Sequence, residues 1–382
     1  MRSIQETIQY IWRKADIALL ALIVAASCYG LVLVTSASQY TGDNRNTIVQ
    51  AAAIVLGICG YFFFSVADVE HFSEKWQWFF VFNVGFILLL LTPLGVEENG
   101  NRSWLYTQGM PTSIQPAEIV KLTFTILLAK QIAWFRENRK MRGLDSLLWP
   151  AAHAGFMFAL IFVVSSDVGS GLVYLVIYVG MAFAAGLPWY WFVAGFGAAA
   201  VGGTALVVLD KIPSYMLERF RVIFDHSYMP DDVGWQQTRG LMALGSGGVF
   251  GQGLFNGIQT QSLNEAAIPE RETDFIFCVA GEELGMVGCL LIILLEALII
   301  YRCFHTARMA RSSMESLVCV GFATMLMFQV VENIGMCLFI MPVIGLTLPF
   351  FSYGGSSMVT LFCAMGIVSG IRKRALPEWL RN

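Results

Sequence analysis

The chain has 382 residues, of which 57% are hydrophobic and only 13% charged, and its mean hydropathy is +0.65. A soluble core cannot bury that much apolar surface, so the composition excludes a soluble enzyme and marks an integral membrane protein. The formal net charge of −3 decides little, because in a membrane protein the placement of charge carries the information.

The eight cysteines, Cys28, Cys59, Cys278, Cys289, Cys303, Cys319, Cys337 and Cys363, sit in apolar runs or at their ends with no C-x-x-C pair. Neither a disulfide framework nor a zinc site follows from that pattern.

Apolar runs of spanning length occur at roughly 17–37, 47–67, 76–94, 114–134, 147–165, 169–187, 189–209, 274–301, 315–341 and 353–371. They predict an all-α polytopic membrane protein of about ten transmembrane helices. Its large extracytoplasmic loop, 210–273, lies between spans seven and eight. Arg2, Arg13 and Lys14 precede the first run, which is too long for a signal-peptide core and reads as a retained helix with the amino terminus inside.

The positive-inside rule tests the count, since an error of one span would invert every later loop. Inside segments carry Lys75, then Arg136, Arg139, Lys140 and Arg142, then Arg302, Arg308 and Arg311, and finally Arg372, Lys373, Arg374 and Arg381. The short outside loops hold only Arg45 and Arg102. Both termini are therefore expected inside. No tandem repeat or low-complexity tract divides the chain, so 1–382 reads as one integral membrane domain.

Polar residues interrupt the apolar pattern at a few places. The first runs from Glu97-Glu98-Asn99-Gly100-Asn101-Arg102-Ser103-Trp104 to Gln115-Pro116-Ala117-Glu118 and Lys121. Glu118 and Lys121 share a helix face at i and i+3. Either they neutralise each other, or Lys121 turns to an anionic ligand or an acidic partner such as Asp274 while Glu118 orients it. Asp167 lies in the short outer turn Ser165-Ser166-Asp167-Val168-Gly169 and is either a turn residue or a supporting member of a site.

In the long outer segment, Arg219, Arg221 and Arg239 are bidentate donors suited to phosphate. Beside a carboxylate at the lipid boundary they suggest a lipid-linked pyrophosphate. The run Gly245-Ser246-Gly247-Gly248-Val249-Phe250-Gly251-Gln252-Gly253 does not have dinucleotide-binding spacing and reads as close backbone packing, with an anion-binding nest as the alternative.

The stretch Pro269-Glu270-Arg271-Glu272-Thr273-Asp274-Phe275-Ile276-Phe277 runs into Gly281-Glu282-Glu283-Leu284-Gly285. Asp274 falls where water gives way to hydrocarbon, a place to keep a base or simply to cap a helix. On a continuous helix Glu282 and Glu283 lie about 12 to 14 Å deeper, near the middle of a bilayer. There they must find internal partners or be protonated. The last outer loop, from Met341-Pro342 through Leu348-Pro349-Phe350-Phe351-Ser352-Tyr353-Gly354-Gly355-Ser356-Ser357, predicts a broken, re-entrant backbone that walls the site, with Ser352, Gly354 and Gly355 as candidate lining residues.

Taken in order, these motifs, together with Asn333-Ile334-Gly335-Met336, resemble the successive signatures of the SEDS family (shape, elongation, division and sporulation), typified by RodA, FtsW and SpoVE. The resemblance covers nearly the whole chain. It implies a ten-span glycosyltransferase of the bacterial cytoplasmic membrane that polymerises lipid II into glycan strands beside a class B penicillin-binding protein. Membrane lipids surround it and no nucleic acid is involved.

By motif position, Asp274 matches the family's essential aspartate, and Glu118 with Lys121 its buried polar pair. The short tails lean to the RodA-like branch. Three departures stand out: Glu272 replaces the histidine before Thr-Asp-Phe, Ala117 replaces a serine, and Ser165-Ser166-Asp167-Val168-Gly169-Ser170 replaces Gln-Pro-Asp-Leu-Gly-Thr.

The implied reaction needs a base for the acceptor hydroxyl, which Asp274 can supply. It also needs positive charge for the leaving pyrophosphate, from the arginines and Lys121 or from a divalent cation such as Mg or Mn. Displacement at an α-linked pyrophosphate gives a β-linked, inverted product. Two other readings are a flippase for lipid-linked precursors and a scaffold that recruits cell-wall enzymes. The polar groups gather toward one face and no inverted repeat is evident, which favours chemistry over alternating access.

Overall fold

The computed structural model describes residues 15–98, 100–106, 113–138, 141, 143–209, 214–225, 234–263 and 267–376. Arg2, Arg13, Lys14, Arg139, Lys140, Arg142 and Arg381, used in the charge count above, lie outside the described residues, as do parts of the 210–273 segment.

The chain is mostly helical. The helices are α1 (Ile17–Ser38), α2 (Arg45–Val66), α3 (Val69–Glu74), α4 (Trp76–Leu88), α5 (Pro116–Asn138), α6 (Leu144–Ser165) and α7 (Val168–Ala184), followed by α8 (Trp189–Val208), α9 (Ser214–Phe224), α10 (Trp235–Ser246), α11 (Ile276–Met309), α12 (Ser313–Cys337) and α13 (Gly355–Ala375). A helix falls in each of the ten predicted apolar runs. Six of them, α1, α2, α6, α11, α12 and α13, are long and apolar enough to cross a membrane, while α4 with the turn after it and α7 are shorter apolar helices.

Helices α12 and α13 are the most buried of the six and form the centre of the bundle. α13 lies close against α2, where Gly366 meets the Tyr61 backbone, so small residues let two helices approach as they do inside membranes. At the end of the bundle reached by the carboxyl terminus of α11, Asp16 caps α1. It also pairs with Arg302 at 2.7 Å and Arg372 at 3.2 Å, and Glu315 pairs with Arg374 at 3.1 Å. These ion pairs join α1, α11, α12 and α13, and both Asp16 and Glu315 keep a cation where the surroundings are apolar.

The opposite end carries the irregular structure. A two-stranded antiparallel hairpin, β1 (Gly95–Glu98) and β2 (Asn101–Leu105), pairs Gly95 with Leu105 and Val96 with Trp104. It fills the polar insertion before α5. Gly100, between the strands, sits at φ +80°, the left-handed region that tight hairpin turns use.

One expectation is corrected here. α11 is not continuous: Gly285 takes φ +67°, ψ −162° and breaks it. The amino-terminal piece carries Glu282 and Glu283, and the run 286–309 alone is about 36 Å long at 1.5 Å per residue, enough to span a bilayer.

The two glutamates therefore do not face mid-bilayer hydrocarbon; the polar segment between α10 and α11 folds over them. Glu282 accepts from the Gln259 and Thr260 backbone N–H groups, each at 2.8 Å, and from the Thr260 hydroxyl at 2.6 Å. Glu283 accepts from the Ser36 hydroxyl at 2.7 Å, the Phe255 N–H at 3.2 Å and the Gln261 side chain at 3.0 Å.

The glycine-rich run closes the break. Gln252 and Gly253 N–H groups donate to the Glu282 and Glu283 carbonyls, and the Met286 and Val287 N–H groups donate to Gly248 and Val249. A Cβ on Gly251 would come within 2.1 Å of the Glu283 carbonyl oxygen. The run thus serves close backbone packing, and the groups freed by the break find partners.

Candidate active site

Asp274 precedes α11 by two residues, in a turn whose shape is fixed from both sides. Upstream, Arg271 is 2% exposed, donates to the Ile268, Thr260 and Ser262 carbonyls and stacks over the Tyr40 ring at 3.8 Å. Downstream, the irregular loop 338–354 is stitched to the same turn. Ser352 donates to the Thr273 carbonyl at 2.6 Å, the Tyr353 N–H donates to Glu272, and Asn333 donates to both the Asp274 and Leu346 carbonyls at 2.8 Å. Gln50 holds the segment from α2 through the Ser352 carbonyl and the Gly354 N–H.

The Asp274 carboxylate faces this loop: a Cβ on Gly345, which sits at φ +72°, would lie 3.7 Å from one of its oxygens. A side chain there would stand against the carboxylate, and the left-handed backbone favours glycine. Burial pushes the Asp274 carboxyl up to about 7, with Glu270 and Asp167 adding to the rise and Arg219 opposing it. An ordinary aspartate ionises near 4; this one is poised to take a proton near neutrality.

Asp167 is within electrostatic reach of Asp274 and also caps α7. It accepts from the Ser170 N–H at 2.9 Å, the Gln115 side chain at 3.3 Å and the Ser103 hydroxyl at 3.4 Å. Arg219 donates to the Val343 carbonyl at 2.7 Å, which sets its guanidinium beside this loop. Glu332, 2% exposed on α12 and within electrostatic reach of Asp274, was missed in the sequence reading. Its only signal was adjacency to the Asn333-Ile334-Gly335-Met336 motif.

The remaining predicted residues lie around this centre rather than against Asp274. Lys121 pairs with Glu118 at 2.5 Å, both buried. Tyr174, which donates to the Ala117 carbonyl at 2.6 Å, is within reach of both Glu118 and Asp167 and links the pair to the site. Arg102 donates to the Thr92 carbonyl and braces the hairpin. Arg221 is exposed on α9 and Arg239 half-exposed on α10. Gly355 opens α13.

Burial also raises the Glu272 carboxyl, and the Asn46 side chain donates to it at 3.4 Å. Among the described residues no three His, Cys, Asp or Glu side chains gather as metal ligands.

The family model for cell cycle proteins of the FtsW, RodA and SpoVE type matches residues 16–375. The chain belongs to this family, the SEDS proteins. Similar curated SEDS relatives include a probable peptidoglycan glycosyltransferase FtsW of Haemophilus influenzae, 34% identical over 92% of this chain and 89% of that protein. Another is the stage V sporulation protein E of Bacillus subtilis, 31% identical over 94% and 97%.

Among solved structures of SEDS proteins, Thermus thermophilus RodA matches with a TM-score of 0.67 at 27% identity, over 95% of this chain and 98% of that one. A chain from a structure described as the coordination of polymerization and crosslinking by a peptidoglycan synthase complex matches with a TM-score of 0.80 at 29% identity, over 95% and 99%. These matches carry FtsW, SpoVE and RodA names together, so they do not single out the RodA-like branch to which the short tails leaned.

Proposed function

We propose that the chain is a peptidoglycan glycosyltransferase that polymerises lipid II at the outer face of the bacterial cytoplasmic membrane. In this reading ten helices span the membrane with both termini inside, and 210–273 lies outside. The relatives' names and the likeness to a synthase complex support the activity and a class B penicillin-binding protein as partner.

The observation that carries the mechanism is Asp274: a carboxylate raised to about 7, rigidly held between the Arg271-braced turn and the re-entrant loop, with a glycine in front of it. Asp274 removes the proton from the acceptor sugar hydroxyl as that oxygen attacks the anomeric carbon of the donor. The bond from that carbon to the pyrophosphate oxygen breaks, undecaprenyl pyrophosphate leaves with the electron pair, and the new linkage is inverted to β. Arg219 beside the loop, with Arg221, Arg239 and Lys121 further out, supplies positive charge for the departing group. Asp167 keeps Asp274 basic by like-charge repulsion while holding the start of α7.

The test is glycan product on a gel from purified lipid II, with and without the penicillin-binding partner, using the parent chain and two variants. Asp274→Asn keeps the shape but cannot accept a proton, so product formation should fall about 10²- to 10⁴-fold with lipid II binding retained. Glu272→Gln should be much milder. Substantial product from Asp274→Asn would remove the base assignment. A folded parent that makes no product with its partner but moves lipid II across vesicles would be a flippase.

A further inference from the structure

The end of the bundle away from Asp274 carries a second site. Between α7, α8, α11 and α12 lies an apolar cavity of about 830 Å³ lined by Val176, Phe183, Val193, Phe304, Val320 and Met327, a volume typical of ligand pockets. One wall is α8, whose side chains are exposed along nearly its whole length, so the cavity opens sideways toward lipid.

At its carboxyl-terminal end the cavity runs into a second, polar pocket of about 540 Å³ that it meets at Ala307, Arg308 and Ser316. Arg136, Arg308 and Arg311 line that pocket, with Glu137 the carboxylate among its lining residues. Three cations against one anion leave it basic. Arg136 donates to the Ser313 hydroxyl at 3.4 Å, which draws its guanidinium to the start of α12.

We propose that these joined pockets bind one anionic glycerophospholipid from the leaflet opposite to Asp274, with an acyl chain in the apolar cavity and the phosphate at Arg308, Arg311 and Arg136. Charge complementarity selects the headgroup: basic pockets between membrane helices on the cytoplasmic side suit anionic lipid heads. The continuity of an apolar cavity with a basic pocket through a shared arginine suits a molecule with a chain and a phosphate in one piece. A free phosphate would leave the apolar cavity unused, and a zwitterionic lipid would leave the net positive charge unmatched. The bound lipid would prop α8 against α7, so the site is a structural and regulatory one, separate from the chemistry at Asp274.

The experiment uses the purified full-length chain, stripped of lipid and titrated with phosphatidylglycerol, phosphatidylcholine or glycerol phosphate, with retained ligand counted by native mass spectrometry. One phosphatidylglycerol should be retained in preference to phosphatidylcholine, and glycerol phosphate should not displace it. Each exposed arginine near a membrane surface contributes about fivefold, so Arg308→Gln with Arg311→Gln should weaken retention roughly 25-fold. Val193→Trp, which fills the cavity from the lipid side, should weaken it with all arginines intact.

Melting of each variant, followed in parallel, keeps folding apart from binding. Equal retention of the two phospholipids, retention untouched by either variant, or displacement by glycerol phosphate would overturn the proposal. So would tighter binding of undecaprenyl pyrophosphate than of phosphatidylglycerol at the same arginines.

Discussion

Glu282 offers the most direct test of how the site is held. It is fully buried, and its carboxylate accepts three hydrogen bonds, from the Gln259 N–H, the Thr260 N–H and the Thr260 hydroxyl. Glu282→Ala would leave all three donors buried without an acceptor. At about 1.5 kcal/mol or more for each bond to a charged group, the loss is on the order of 5 kcal/mol, as large as the whole stability of a weak domain.

The damage would not stay local. The Thr260 carbonyl is a ligand of Arg271, and Arg271 braces the turn before Asp274. Polymerisation should therefore collapse although no group at the proposed chemistry has changed, and Glu282→Gln, which keeps one oxygen acceptor, should lose less. The measurement is thermal unfolding in detergent together with limited proteolysis between residues 247 and 275, beside a lipid II polymerisation assay. An alanine variant that melts with the parent and resists protease equally would refute the anchor. Mid-bilayer placement of a protonated Glu282, one of the two outcomes the continuous-helix reading allowed, predicts the reverse, because removing a polar group from hydrocarbon stabilises.

Because the Asp274 pKa is raised, its base form is lost as pH falls through about 7 rather than through the ordinary carboxylate range. A pH profile of kcat/KM should rise about tenfold per unit below that point and level above it. Glu270→Gln, which removes a raising charge, should move the inflection to lower pH, and Arg219→Gln should move it higher; coincident profiles would defeat the electrostatic account. Lys121→Met strands the buried Glu118 and should cost about 3–5 kcal/mol. The double variant Lys121→Met with Glu118→Leu should recover the melting temperature but not polymerisation, and recovery of both would reduce the pair to a structural one. For topology, a cysteine at Leu263 should react with an impermeant thiol reagent in intact spheroplasts and one at Glu74 should not, and the opposite pattern would invert the proposed orientation.

The membrane class, the helical runs, the family motifs and the position of Asp274 were all legible in the sequence. Each is written in local terms: runs of apolar residues match bilayer thickness, and a carboxylate at the edge of such a run is conspicuous where charge is costly. What surrounds Asp274 was not legible in the same way. Its raised pKa comes first from burial in the assembled fold and then from Glu270 and from Asp167, more than one hundred residues earlier, against the opposing Arg219, and no periodicity reports distances between separate helices.

Glu282 and Glu283 show the limit most clearly. Their spacing from Asp274 suggested mid-bilayer carboxylates, because helix rise is all that a single run conveys. The break at Gly285 and the backbone donors at 255–260 that cover the carboxylates come from the long segment folding back. The tertiary structure decided that those two buried charges anchor a loop, since a buried carboxylate persists where donors reach it, and only the assembled fold brings the donors there.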